Sequence, residues 1–369
     1  MSRTRRRVVG SLAGALGVAA AGSAVGILRQ QRSISRRAGE DVAFGSLRSE
    51  PITVVADDGV PLHVEIDEVD DSHAMDRAGR LFRRVRGGPP EVTVVFVHGF
   101  CLNLDCWHFQ RAAYRNLVRT VFYDQRSHGR SGRSDREHST VEQLGRDLRT
   151  VLDAAAPEGP VVLVGHSMGG MSIIALVEQY PELIGDRVVG VGLISTTAGG
   201  LDVSRMILPM LPARLSGPFT PFTQRAVRTL HRGHRVVDGV RRMGRGIATV
   251  ATDRYAFGGD VPQGYVEFTD EMLSATPFEV IADFFPLFSG LDKFHAVEAL
   301  GTVATSVICG TSDKLTSIGH SRKLHARIPG SRLLECDGAG HLVMFERHDL
   351  VSSELDQLIT AATTGARSR

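Results

Sequence analysis

Between residues 161 and 170 the chain reads Val-Val-Leu-Val-Gly-His-Ser-Met-Gly-Gly. A short apolar run ends, one hydroxyl stands between two glycines, and a helix-length stretch begins. Few folds accommodate that order. Gly165 and Gly169, two residues to either side of Ser167, let two backbone segments approach with no Cβ between them. The turn from strand to helix is then tight enough to hold a strained Ser with its hydroxyl exposed at the strand end. The first amides of the helix point at any negative charge that develops there. Out of context the pattern Gly-x-Ser-x-Gly is common; the strand before it and the helix after it give it meaning.

The remaining runs supply the sheet around that turn. Continuous apolar stretches recur at Val92–Val97, Thr120–Tyr123, Val161–Val164, Val188–Ile194, Ser306–Cys309 and Arg332–Cys336. Strands buried on both faces look like this, as in a parallel sheet. Helix-length segments separate them, at about Asp105–Val118, Thr140–Ala156, Met168–Tyr180, Ser317–Arg327 and Glu346–Ala362. Ahead of them Ile52–Ala56 and Leu62–Ile66 flank Asp57-Asp58-Gly59 and read as a hairpin. Residues 70–90 read as a polar surface excursion. The alternation predicts an α/β fold: a mostly parallel central sheet of about eight strands with helices on both faces. From Ile194 to Thr305 no buried-strand run occurs, yet nine of the sixteen Phe residues fall there, with helical patterns such as Phe278–Phe288. Residues 198–300 are therefore expected to be a mostly helical cap inserted into a core formed by 41–197 and 301–369.

A serine hydroxyl becomes a nucleophile when a base takes its proton and a carboxylate orients the base. Ligand sites in open α/β sheets lie beyond strand C-termini. After Ser306–Cys309 comes Gly310-Thr-Ser-Asp313; after Arg332–Cys336 comes Asp337-Gly-Ala-Gly-His341. Asp313 and His341 are thus the candidate acid and base for Ser167, in the chain order Ser, Asp, His.

With these motifs the sequence resembles the α/β-hydrolases from about Pro51 to about residue 362. Val95-Phe-Val-His98-Gly99-Phe100 is similar to the segment that supplies one oxyanion donor, which implies the backbone amides of Phe100 and Met168 as the pair. Tyr123-Asp124-Gln125-Arg126-Ser127-His128-Gly129-Arg130-Ser131 resembles the family's Asp-x-Arg-Gly-x-Gly-x-Ser turn, with Ser127 where Gly is usual. The resemblance implies a serine hydrolase of carboxylic esters, or of thioesters or amides, acting on a small-molecule substrate with no cofactor; the Phe-rich cap suggests an apolar acyl group, with small soluble and lipid-like esters both open. Perhydrolysis or acyl transfer by the same groups, and a ligand-binding protein with a slow or vestigial triad, are the alternatives. A Ser nucleophile excludes the Asp-nucleophile relatives.

Other residues have simpler readings. His98 is expected to orient the oxyanion loop, and His166 to point away from the nucleophile beside it. His231, His234 and His295 read as solvated or packed side chains of the cap. Asp202, after Val188–Ile194, is the alternative acid. Cys101 and Cys106 have no second pair at ligand spacing, so zinc is not expected; free thiols are the default, and a local disulfide requires export. Cys309 and Cys336 read as small core residues. Seven Arg between Arg225 and Arg245 read as a solvated helix face, with anionic headgroups or carboxylates as the functional alternative.

Residues 1–37 hold eight Arg and no acid; the other 332 residues hold 35 basic and 41 acidic side chains, a net of −6. An acidic body argues against nucleic acid as a partner. Residues 1–40 read as a targeting or anchoring segment rather than fold. Val8 to Leu28 form 21 uncharged residues, about 31 Å as a helix and long enough for a hydrocarbon core. The expectation is a membrane-anchored protein associated through residues 8–28, with export after cleavage or a cytoplasmic location as alternatives.

Overall fold

The computed structural model describes residues 29–39, 42–69, 92–201 and 249–367. The six apolar runs and both arms of the hairpin form strands: β1 (Pro51–Val55), β2 (Pro61–Asp67), β3 (Thr93–Val97), β4 (Arg119–Tyr123), β5 (Val161–His166), β6 (Val188–Ile194), β7 (Ala304–Gly310) and β8 (Arg332–Cys336). They make one sheet in the order β1-β2-β4-β3-β5-β6-β7-β8. The β1–β2 hairpin and the β2–β4 pair are antiparallel; every other pair is parallel.

Burial explains why the central strands lack polar alternation. Every residue of β3, β5 and β6 is buried. On one face Val94, Phe96 and Val164 meet Tyr114 of α1 (His108–Tyr114) and Val351, Leu355 and Leu358 of a C-terminal helix. On the other, Val95, Val97 and Leu163 meet Leu148 and Leu152 of α2 (Val141–Ala155) and Ile173 and Leu176 of α3 (Met168–Gln179). Helices thus cover both faces, as a parallel sheet requires.

Between β6 and β7 the described chain is helical: a segment at 249–256, then α4 (Gln263–Ala275) and α5 (Phe278–Ser289). Phe284 and Phe288 of α5 pack with Leu144 of α2 and Met168 and Met171 of α3, and Phe100 lies against the same cluster. Beyond β7 come α6 (Ile318–Arg327), α7 (Val343–Glu346) and α8 (His348–Arg367).

Three boundaries differ from expectation. The Asp105–Val118 helix is a 3₁₀ turn, Leu104–Trp107, followed by α1, which stops at Tyr114 just before Asn116 turns left-handed at φ +65°. The C-terminal helix is broken at Arg347 into α7 and α8. Residues 29–39, assigned by composition to the leader, pack on the body. Ile34 is 2% exposed within the core, Arg37 pairs with Asp253 and Asp260, and Gln30 donates to Asp253. Residues 29–39 thus belong to the fold, tied through Arg37 and Gln30 to Asp253 and Asp260. Residues 8–28, Asp202, His231, His234 and the Arg225–Arg245 run lie outside the described residues.

Candidate active site

The turn at Ser167 is strained as its sequence implies. Ser167 sits at φ +52° and ψ −118°, a region that costs a residue with a Cβ about 1–3 kcal/mol. Neighbouring backbone holds it there. A Cβ on Gly169 would overlap the Val97 carbonyl, and one on Gly165 would lie 2.6 Å from the Gly169 backbone. The Ser167 amide donates to the Ile194 carbonyl at 2.9 Å, and the Thr196 hydroxyl donates to the Ser167 carbonyl at 2.6 Å.

The three side chains read off the strand ends meet in a line. Nε2 of His341 is 3.0 Å from the Ser167 hydroxyl, and Nδ1 is 2.9 Å from Oδ2 of Asp313. An ionised carboxylate only accepts, so Nδ1 holds the imidazole proton and the Nε2 lone pair faces the serine. Both partners are nearly dry, with His341 7% and Asp313 5% exposed. Asp313 keeps its orientation through Oδ1, which accepts from the amides of Leu315 at 2.8 Å and Thr316 at 3.0 Å. The His341 loop is clamped in turn. Glu346 accepts from the Gly340 amide at 2.6 Å and from Gly258 at 3.1 Å, and the Leu342 amide donates to Ala256 at 2.9 Å. Burial pushes the Glu346 carboxyl up, while those amides favour its ionised form.

The amide of Met168 is the first of α3, where no earlier helical carbonyl exists to accept from it. Phe100 is delivered by Gly99, whose backbone is pressed on the turn. A Cβ there would lie 3.1 Å from Cβ of Ser167 and 2.7 Å from Nδ1 of His166. His98 sets this loop as expected. Its Nδ1 donates to the Gly99 carbonyl at 2.8 Å, and its Nε2 accepts from the Gln125 amide at 2.9 Å. That pattern needs a neutral ring, and burial pushes His98 down to about 4. The Gln125 side chain closes the network, donating to the His98 carbonyl at 2.6 Å and accepting from the Ser172 hydroxyl of α3 at 2.7 Å.

His166 is fully buried, and its Nε2 donates to the backbone carbonyl of His341 at 3.0 Å, away from the serine hydroxyl. His295 is largely exposed and pairs with Glu178. All four cysteines are free and buried. Among the described residues no cluster of His, Cys, Asp and Glu could hold a metal ion. In the Asp-x-Arg turn, Arg126 is buried between Asp147 and Asp58, and Asp124 accepts from the amides of Leu104 and Arg130. Ser127 takes the left-handed conformation, φ +65°, and its hydroxyl accepts from the Ser134 amide at 2.8 Å. That bond compensates for the missing glycine.

Sequence reasoning missed Thr316, Gln125 and Glu346. Only for Thr316 was there a local signal: an Asp followed within three residues by Leu and Thr can accept from its own next amides, as Asp313 does.

The model of the alpha/beta hydrolase family matches residues 94–354. An uncharacterized protein of Mycobacterium tuberculosis is 28% identical over 280 residues, which cover 73% of this chain and 74% of that protein. Among solved structures, a thermophilic esterase from Thermogutta terrifontis aligns with a TM-score of 0.60 at 20% identity, over 85% of this chain and 100% of its own. A bromoperoxidase from Bacillus anthracis aligns with a TM-score of 0.61 at 18% identity, over 84% and 100%. At such identities these two likenesses concern the fold.

Proposed function

The chain belongs to the α/β-hydrolase family, and from that premise we propose that it cleaves a carboxylic ester through an acyl-enzyme on Ser167. His341 takes the Ser167 proton at Nε2 as the oxygen attacks the acyl carbon. The amides of Phe100 and Met168 stabilise the oxyanion, which sits in a field already oriented before the reaction. The imidazolium returns its proton to the departing alkoxide. His341 then removes a proton from water, water attacks the acyl carbon, and Ser167 leaves as the free hydroxyl. Asp313 stays ionised throughout and fixes the tautomer. The observation that carries this reading is the unbroken line from the Ser167 hydroxyl through His341 to Asp313.

The acyl group is apolar in this proposal. Phe100 packs with Phe284 and Phe288 of α5 in an apolar cluster that contains Met168, the residue after the nucleophile, and residues 198–300 act as the cap that sets chain-length preference. The test is an acyl-length series of p-nitrophenyl esters, run beside fluorophosphonate labelling. Turnover that rises with chain length and labelling lost in Ser167→Ala support the proposal; a chain that neither labels nor turns over any ester overturns it, in favour of a binding role.

Residues 8–28 are proposed to anchor the protein in a membrane. Their support is sequence length and apolarity; among the described residues no helix is long and apolar enough to cross a membrane. Recovery of the intact chain in the membrane pellet after a carbonate wash supports the anchor. A soluble product beginning near residue 25 or later would indicate export instead.

A further inference from the structure

The proposed reaction leaves one polar group at the centre of the site without a part, the hydroxyl of Thr316. It lies 2.9 Å from Oδ2 of Asp313, 3.2 Å from Nδ1 of His341 and 2.7 Å from the backbone carbonyl of Ser195. The residue is 3% exposed. A hydroxyl has one proton to give and lone pairs to accept with. The Ser195 carbonyl and the Asp313 carboxylate only accept, whereas Nδ1–H of His341 only donates. With its proton on Ser195, the closest of the three, the hydroxyl turns a lone pair toward Nδ1–H. With its proton on Asp313, it shares one carboxylate oxygen with the imidazole. Only the first setting ties the base to the end of β6, because a single proton cannot serve both the Ser195 carbonyl and the Asp313 carboxylate.

What it is tied to matters most. Ser195 directly follows β6 at φ +45°, with its amide donating to Ile308 of β7 at 2.8 Å. One residue earlier, the Ile194 carbonyl accepts from the Ser167 amide; one residue later, the Thr196 hydroxyl donates to the Ser167 carbonyl. Three consecutive residues therefore hold the nucleophile on one side and Thr316 on the other. Another neighbour of the His341 ring is His166, with ring centroids 4.8 Å apart. Its Nε2–H is spent on the His341 carbonyl, so it fixes the backbone of the base and leaves the ring to Asp313 and Thr316.

We infer that Thr316 is a positioning residue: its hydroxyl ties the Asp313–His341 pair to the Ile194–Thr196 segment that holds Ser167. It thereby sets the distance and ring angle at which His341 meets the serine hydroxyl. The inference rests on the acyl-enzyme reading given above.

The test compares Thr316→Val, which keeps the shape and removes the hydroxyl, with Thr316→Ser, which keeps the hydroxyl. Thr316→Val is expected to lower kcat and the rate of fluorophosphonate labelling about ten- to a hundredfold, the scale of a small misplacement of reacting groups. KM should stay within about twofold, and the downfield proton resonance of the His341 Nδ1–H should move. Thr316→Ser should restore all three. If Thr316→Val does not fold, Thr316→Ala and Thr316→Ser provide the same comparison at lower temperature. A Thr316→Val protein that labels as fast as the parent, or a Thr316→Ser protein as slow as Thr316→Val, overturns the inference while leaving the proposed reaction intact. A parent chain that does not label at all sinks the reaction and the inference together.

Discussion

Nε2 of His166 donates to the backbone carbonyl of His341 across 3.0 Å, so the residue before the nucleophile supports the residue that serves it. The geometry removes His166 as an alternative base. Its proton-bearing nitrogen is occupied, and its other nitrogen faces the Gly99 backbone rather than the Ser167 hydroxyl. Burial, reinforced by the charge His341 can carry, holds His166 well below the usual imidazole range. It stays neutral when His341 takes a proton.

Replacing Ser167 or His341 by Ala should each remove nearly all turnover, by roughly 10⁴-fold or more, and the double variant should be little worse than either. Asp313→Asn should be severely impaired as well. Steady-state kinetics on the best p-nitrophenyl ester read this directly. The acid assignment gives way if Asp202→Asn is inactive while Asp313→Asn turns over almost normally.

Gly99→Ala separates chemistry from stability. The new methyl would crowd Cβ of Ser167 and the ring of His166, at 3.1 and 2.7 Å, and displace the loop that delivers the Phe100 amide. Turnover should fall by about a hundredfold while the melting temperature moves by only a few degrees. A fully active variant would show that this amide does not face the reacting oxygen.

The two adjacent phenylalanines of α5 should behave differently. Phe284 is 0% exposed and packs in the cluster that contains Met168, so Phe284→Ala should cost about 3–5 kcal/mol of stability. Phe285 is only partly buried and leans on Phe288. Phe285→Ala should leave stability within about 1 kcal/mol and shift the acyl-length profile. Chemical denaturation beside the ester series distinguishes the two; a Phe285→Ala profile identical to the parent's would remove this side chain from substrate selection.

Acid should unfold the protein earlier than its carboxylates alone would. Burial lowers His98 from 6.5 to about 4 and His128 from 6.5 to about 3, and it also lowers His166. Because these folded values lie below the unfolded one, the stability they contribute is present above pH 6.5 and is lost as pH falls toward the folded values. Inside its window each group adds about 1.4 kcal/mol per pH unit to that loss. Denaturant titrations from pH 6.5 to 4.5 should show stability falling with pH, and falling less steeply in His128→Gln. A flat profile over this range would mean that the rings are protonated, or open to water, in the folded chain.

The fold was legible in the sequence wherever burial is two-sided. Val92–Val97 and Val188–Ile194 could be nothing but central strands once helix-length segments separated them. The line from Ser167 to His341 and Asp313 was legible because each residue lies within five residues of a strand's C-terminal end, and strand ends of a parallel sheet share one edge. Gln125 was hidden for the opposite reason, as were the long-range bonds of Thr316 and Glu346. Gln125 meets His98, Thr316 meets Ser195 and Glu346 meets Gly258, pairs distant in the chain that only the closed fold brings within reach. The helix breaks at Arg115 and Arg347 were hidden too, because neither Pro nor Gly marks them.

The contacts of residues 29–39 decide where the chain can be shortened. Asp253 is 6% exposed, and its hydrogen-bond donors are Arg37 and Gln30. Trimming to residue 41 would remove both and leave a desolvated carboxylate uncompensated. It would also remove Ile34, which is buried in the same core cluster as Ala256, whose carbonyl holds the loop of His341. A truncated enzyme intended to keep its base in register must therefore start no later than residue 29, and a maturation protease that spares activity must cut before that point.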